Sequence, residues 1–153
     1  MNMDLDTVDA ADFGQSLRGV GLNLLVRDVG RSLDFLRKVL GMEVFQSSDD
    51  FAILRSGSVL LQIHADHTYH SNPLAGILPE TGARGAGVEL RLYEVDPETA
   101  LERAQDHEGA TVLQEAKNKP HGLREAYILD LDGYCWVPSR PLTPDEKIGR
   151  AHV

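Results

Sequence analysis

Gly21-Leu22-Asn23-Leu24-Leu25-Val26-Arg27-Asp28 returns in kind sixty-six residues later as Gly87-Val88-Glu89-Leu90-Arg91-Leu92-Tyr93-Glu94, and this pair of stretches decides the fold. Leu24 falls on Leu90, Val26 on Leu92 and, just beyond, Val29 on Val95. Each stretch has the length of a strand and alternates apolar side chains with a mixed set, which predicts a strand with one apolar face. After the first, read over 20–26, comes an amphipathic helix: Val29, Leu33, Leu36 and Leu40 recur at helical spacing, Asp28 caps the free amides, and Gly41 suits a left-handed stop. Three further strands are predicted over 43–46, 51–55 and 58–64, parted by the turn-forming Ser47-Ser48-Asp49-Asp50 and Ser56-Gly57.

The second copy follows the same order. Asp96-Pro97-Glu98 opens a helix with the apolar stripe Ala100, Leu101 and Ala104, and Gly109 is expected to end it. Gly41-Met42-Glu43-Val44 then matches Gly109-Ala110-Thr111-Val112, and Ile53-Leu54 matches Ile128-Leu129, which carries Gln62 onto Val137. The expected layout is a flexible acidic leader over 1–17, a first module over 18–65, a linker over 66–86 rich in proline and glycine, a second module over 87–138 and a C-terminal tail over 139–153.

Composition narrows the function classes. The chain has 153 residues, 42% hydrophobic and 25% charged, which suits one soluble domain with a sizeable core. Fifteen basic against 24 acidic residues leave a formal charge of -9, which argues against nucleic acid and anionic membrane surfaces as partners. The one cysteine, Cys135, cannot form an internal disulfide, and neither a basic apolar start nor a spanning-length apolar run is present. The expectation is a cytoplasmic protein.

Two tandem strand-helix-strand-strand-strand modules, with Asp28 opening the helix that runs Ser32-Leu33-Asp34-Phe35 to Val39-Leu40-Gly41-Met42, resemble the vicinal oxygen chelate superfamily of glyoxalase I, extradiol dioxygenases, fosfomycin resistance enzymes and bleomycin resistance proteins. The stretch from Gly122-Leu123-Arg124-Glu125 to Asp130-Leu131-Asp132-Gly133-Tyr134 is similar to that family's Gly-x-Arg-Glu and Asp-Pro-Asp-Gly-Tyr segments, with Leu131 in place of the proline. The resemblance implies an α+β fold in which curved mixed sheets surround a cavity, helices cover the convex side, and two copies pair as a homodimer. If Leu22, Leu24, Val26, Val88, Leu90 and Leu92 lie under helices, Gly21, Asn23, Leu25, Gly87, Glu89 and Arg91 face the cavity. In the fourth strand Val59, Leu61 and Ile63 then face the helix side, leaving Leu60, Gln62 and His64 inside, with Cys135 and Val137 completing the wall.

Enzymes of that family hold a divalent metal on ligands from four strands, and the resemblance places those positions at Gly21, Gln62, Gly87 and Val137. One neutral amide among four positions is too few, so no metal or other cofactor is expected there. His64, His67 and His70 are spaced by three but run from a strand into a linker, where they read as a solvated loop with His64 alone entering the cavity. Glu89 and Arg91 share a face, either as a ligand-binding pair or as a structural ion pair. Arg124 and Glu125 alternate, so at most one reaches the cavity; His121 lies on a loop able to close over a ligand, and Trp136 packs under a helix. The resulting expectation is a glyoxalase/bleomycin resistance-like protein that binds a small molecule, such as a cationic antibiotic or metabolite, without a metal. The alternative is a lyase, isomerase or dioxygenase of the same superfamily with Glu89 or His64 as base, or with a relocated metal site.

Overall fold

Alternation in the sequence becomes two four-stranded mixed sheets in the computed structural model, which describes residues 3–68 and 71–148. The chain divides into two compact units, Met1–Leu33 with Met42–Ile77 and Asp34–Gly41 with Leu78–Val153. The fold is α+β, with helices α1 (Ala10–Ser16), α2 (Val29–Lys38), α3 (Pro97–Gln105) and α4 (Pro144–Ile148). Among the described residues no helix is long and apolar enough to cross a membrane.

In the first unit β1 (Asn23–Val26), β2 (Glu43–Ser47), β3 (Phe51–Ser56) and β4 (Val59–Ala65) lie in the order β1-β4-β3-β2, with β1 parallel to β4 and the other pairs antiparallel. Register places Val26, Ala52, Leu54, Leu61, Ile63 and Ala65 on one face, and all six are buried. Val59, read as part of that apolar face, is 56% exposed, and Val20, read as the first residue of the strand, is 94% exposed. Val20 lies outside β1, and Val59 opens β4 at the end of the ladder, where little lies above it. Within the stretch read as an acidic leader, Asp9 caps α1, Phe13 is buried, and the Gln46 amide donates to the carbonyls of Leu5 and Val8 at 3.0 and 2.6 Å.

The second unit repeats the plan with β5 (Glu89–Leu92), β6 (Thr111–Asn118), β7 (Leu123–Leu129) and β8 (Cys135–Pro141), in the order β5-β8-β7-β6. Helix α3 packs on β6, β7 and β8 through Ala100, Leu101 and Ala104, while Trp136, Ile128 and Ala126 are buried on the apolar side of the sheet. Trp136 is held there because its indole N–H donates to Asp130 at 2.9 Å, and the same carboxylate accepts the amides of Asp132 and Tyr134. Val88, expected under the helices, is 52% exposed: it precedes β5 in a turn closed by its own amide on the Gly85 carbonyl.

Gly109 does not end α3. The helix stops at Gln105 with Asp106 as its cap, and Gly109 instead lies against His107, whose Nδ1 accepts the Gly109 amide while Nε2 donates to Asp34 at 2.8 Å. The tail residues 139–141 continue β8, and Ser139 is fully buried.

Helix α4 is latched by charge. Arg140 donates to both oxygens of Glu146 at 2.8 and 2.9 Å, and Glu146 and Thr143 close a reciprocal cap. Hydrogen bonds from Arg140, then from the Thr143 amide, hold the Glu146 carboxyl down to about 2 from an ordinary 4.5. A depressed carboxyl stabilises above its unfolded value and stops doing so as pH falls through the folded one. Hydrogen-exchange protection of the α4 amides is therefore expected to fall between pH 4.5 and 2 in the native chain, and to stay flat and low in Glu146→Gln.

Candidate functional site

Each sheet turns one polar face away from its apolar side. On the first, register puts Asn23, Leu25, Leu60, Gln62 and His64 together with Phe51, Ile53 and Arg55. His64 Nδ1 donates to the Asn23 side-chain oxygen, and the imidazole lies 4.6 Å, centroid to centroid, from the Phe51 ring. Burial pushes the His64 imidazole below its ordinary range, so it is neutral at pH 7. Arg55 pairs with Glu43 at 2.9 Å and lies over the Phe45 ring. Leu25 and Ile53 are buried. His67 leaves this row to pair with Asp50 at 2.9 Å, and His70 lies outside the described residues.

On the second sheet Glu89, Arg91, Glu125, Tyr127, Cys135, Val137 and Ser139 share a face. Arg91 is the hub: one guanidinium nitrogen donates to Glu89 and another to Glu125, and the Tyr127 phenol also favours its charge. The guanidinium also lies 5.8 Å from the centre of the Tyr93 ring. Burial opposes its charge, but the two carboxylates and the phenol outweigh that and raise its pKa. The Glu125 side chain is 1% exposed and accepts a second bond from His121 Nε2 at 3.1 Å. Burial alone would push its carboxyl up; His121 and Arg91 reverse that and hold it below the usual range. Burial raises the Tyr127 phenol, and burial followed by the Glu89 and Asp130 charges raises the Cys135 thiol, so Cys135 is no ready nucleophile. Arg124, on the other face, pairs with Glu98 of α3.

The expected site residues thus fall into two rows. Asn23, Leu25, Leu60, Gln62 and His64 are brought together on the first sheet, and Glu89, Arg91, Cys135 and Val137 on the second, where His121 reaches the row through Glu125. Val137 has no exposed surface. Glu125 and Tyr127 belong to the centre of the second row; the sequence reading weighed Glu125 only as one of the pair with Arg124 and did not pick out Tyr127.

The register also moves one correspondence between the modules. Leu25 pairs with His64, and its counterpart Arg91 pairs with Val137, so His64 and not Gln62 is the equivalent of Val137. Counting from the Ile-Leu match misplaces it because the register sets Ile53 against Gln62, nine residues on, but its structural counterpart Leu129 against Cys135, only six residues on. The positions at which the family's enzymes carry ligands are then Gly21 and His64 in one unit and Gly87 and Val137 in the other. Gly87 has φ +86, a conformation that ligand-bearing side chains rarely adopt. Val137 is buried and pairs in register with the cationic Arg91. Among the described residues no three His, Cys, Asp or Glu side chains are placed to hold an ion. These residues do not fit a divalent metal.

Two copies of a strand-helix-three-strand module, each with one polar sheet face, define a duplicated α+β fold. The chain belongs to the glyoxalase/bleomycin resistance protein/dioxygenase superfamily, whose family model matches residues 20–137. Among solved structures it is similar to a glyoxalase/bleomycin resistance protein/dioxygenase family enzyme from Burkholderia phytofirmans PsJN, at 20% identity over 79% of this chain and 96% of that one, with a TM-score of 0.66. It is also similar to TioX from Micromonospora sp. ML1 (21% identity, 82% and 98% covered, TM-score 0.58). A third is a glyoxalase/bleomycin resistance protein/dioxygenase from Nocardioides (19%, 88% and 93%, TM-score 0.61). At such identities the likeness establishes the fold. No curated protein matches the chain.

Proposed function

We propose that this protein binds a small cationic molecule, an antibiotic or a metabolite, on the polar face of its second module, with two copies pairing as a homodimer and no metal at the family's usual position. The observation that carries this reading is the charge balance around Arg91. Two carboxylates meet one guanidinium there, and Glu89, with its side chain 46% exposed, engages Arg91 through one oxygen. A half-exposed carboxylate beside a low-dielectric row attracts a positive group more strongly than one in open water does. The chain's formal charge of -9 adds to that attraction at a distance.

The test is a thermal-shift panel of cationic antibiotics and amine metabolites, with and without divalent metals. A ligand at roughly 100 times its dissociation constant should add about 2.7 kcal/mol to the stability of the native chain. Glu89→Gln, which keeps the shape and removes the charge, should weaken binding at least about tenfold, as expected for loss of a charge-assisted bond. Shifts by metals alone, or equal binding to Glu89→Gln, would overturn the reading.

A further inference from the structure

The first sheet carries two amides that nothing so far described engages. Asn23 on β1 and Gln62 on β4 are partners in register, so they stand side by side on one face with backbones about 4.8 Å apart. Asn23 turns its side-chain oxygen to His64, which leaves its N–H2 group, and no described residue accepts from it. The half-buried Gln62 amide makes no hydrogen bond to any described residue. The pair thus holds two N–H2 donors and one carbonyl acceptor within reach of a single small molecule.

Their surroundings are uncharged. Burial keeps His64 neutral at pH 7, and Arg55 and Glu43 cancel each other as an ion pair. Ile53, opposite Gln62 on β3, is buried, and the Phe51 ring lies against His64. The equivalent pair on the second sheet is Glu89 with Cys135, so the two copies of the module present one charged face and one neutral face. An ion placed beside Asn23 and Gln62 would lose hydration without meeting a counter-charge, whereas a neutral ligand exchanges water for matched hydrogen bonds.

A ring with N–H beside C=O, as in a lactam, matches the pair. Its N–H donates to the Gln62 oxygen, its carbonyl accepts from the Gln62 N–H2, and the second lone pair of that carbonyl accepts from Asn23. Phe51 is a diagonal neighbour of Gln62 on the adjacent strand, about 8 Å away, so a flat two-ring ligand held by its edge at Gln62 reaches that ring.

We propose that Asn23 and Gln62 form a second binding site, for an uncharged planar ligand whose edge carries a hydrogen-bond donor beside an acceptor, as a lactam does. The site goes beyond the cation reading of the other sheet and shares no residue with it.

The probes are carbostyril and isocarbostyril, each against its N-methyl derivative, which keeps the ring and the carbonyl but lacks the N–H. Affinities and locations are read on the full chain at pH 7 by titration of amide chemical shifts. In the native protein each lactam is expected to bind about tenfold more tightly than its N-methyl partner. The shifts should center on the amides of β1, β3 and β4. Gln62→Met, which keeps the bulk and removes the amide, should bring the ratio to about one, and unchanged binding of the N-methyl compounds shows that the variant is folded. Asn23→Ala should weaken both members of each pair about fivefold and leave their ratio alone, because both keep the carbonyl.

Equal binding within each pair in the native chain, an undiminished ratio in Gln62→Met, or no binding of either lactam at millimolar concentration overturns the proposal. Shift changes gathered on β5 to β8, or lactam binding that weakens in Glu89→Gln, overturn it as well, since the ligand would then lie on the other sheet. The cation panel is read through Glu89 and this one through Gln62, so either can fail while the other stands.

Discussion

Gly133→Ala is expected to lower the stability of the protein by about 4 kcal/mol, combining the strain of a left-handed alanine with the cost of overpacking. Gly133 has φ +88 in the turn between β7 and β8, and a Cβ placed there would lie 2.6 Å from both the Cα and the Cβ of Ala83 and 3.0 Å from the Arg84 amide nitrogen. Two of these three atoms are backbone, and the segment that carries them cannot retreat. The Arg84 amide donates to the Asp132 carbonyl at 2.7 Å, its side chain is buried, and Gly85 is itself packed on the Tyr134 ring. Thermal unfolding should show a midpoint lower by roughly 10 °C for a chain of this size. Gly109→Ala gives the contrast: φ is unremarkable there, and the closest atoms belong to the His107 ring, which can turn away at the cost of its bond to the Gly109 amide. A Gly133→Ala midpoint within 2 °C of the native one would mean that the 79–85 segment is not clamped on this turn.

That clamp is a feature composition alone does not carry. Pro79, Gly82 and Gly85 read as punctuation between modules, and a linker is the natural inference from composition. Nothing in the residues themselves says that Gly133, more than forty positions on, approaches Ala83 closely enough to bury Arg84. Strand phase was easier to read, because β4 alternates without a break: Leu61, Ile63 and Ala65 go to the apolar side, and Leu60, Gln62 and His64 share the polar one. In β5 the same rule puts Glu89 and Arg91 on one face, and register confirms the pairing of Leu90 with Trp136 on the other.

The rule fails for β7. Leu123, Ala126, Tyr127, Ile128 and Leu129 put apolar or large groups on both faces, so nothing in the stretch says whether Arg124 or Glu125 points to the helix. The answer comes from pairing with β8, which puts Glu125 opposite Ser139. In β6 two ladder breaks reset the period, and the position of Gln114 follows from backbone geometry that no count of residues contains. The central residues of the second polar row therefore escape a period-based reading, while its edge residues do not.

Arg91→Met should be nearly as damaging as the Gly133 change, and its signature is in the pH dependence. Methionine fills much of the space of the arginine stem but removes the guanidinium that Glu89, Glu125 and Tyr127 share. Glu125, with 1% of its side chain exposed, would keep its contact with His121. Stripping one partner from a buried ion pair costs about 3–5 kcal/mol, chiefly because the surviving charge is left in a low-dielectric place. In the native chain the Glu125 carboxyl is held below its ordinary value, so its contribution to stability is present above pH 4.5 and fades as pH falls through the folded pKa. Without Arg91, burial, already the largest single influence, is opposed by His121 alone and is expected to push the same carboxyl up, so the variant should lose stability as pH rises above 4.5. Native and variant curves of unfolding free energy against pH should therefore slope in opposite directions between pH 4 and 6. Arg91→Met combined with Glu125→Gln removes the stranded charge and should recover most of the loss at pH 7, since a neutral amide needs no counter-ion. Parallel pH curves, or a double variant no more stable than Arg91→Met, would mean that Glu125 draws its support from His121 and the backbone around it, and that Arg91 matters to the row through its link to Glu89 instead.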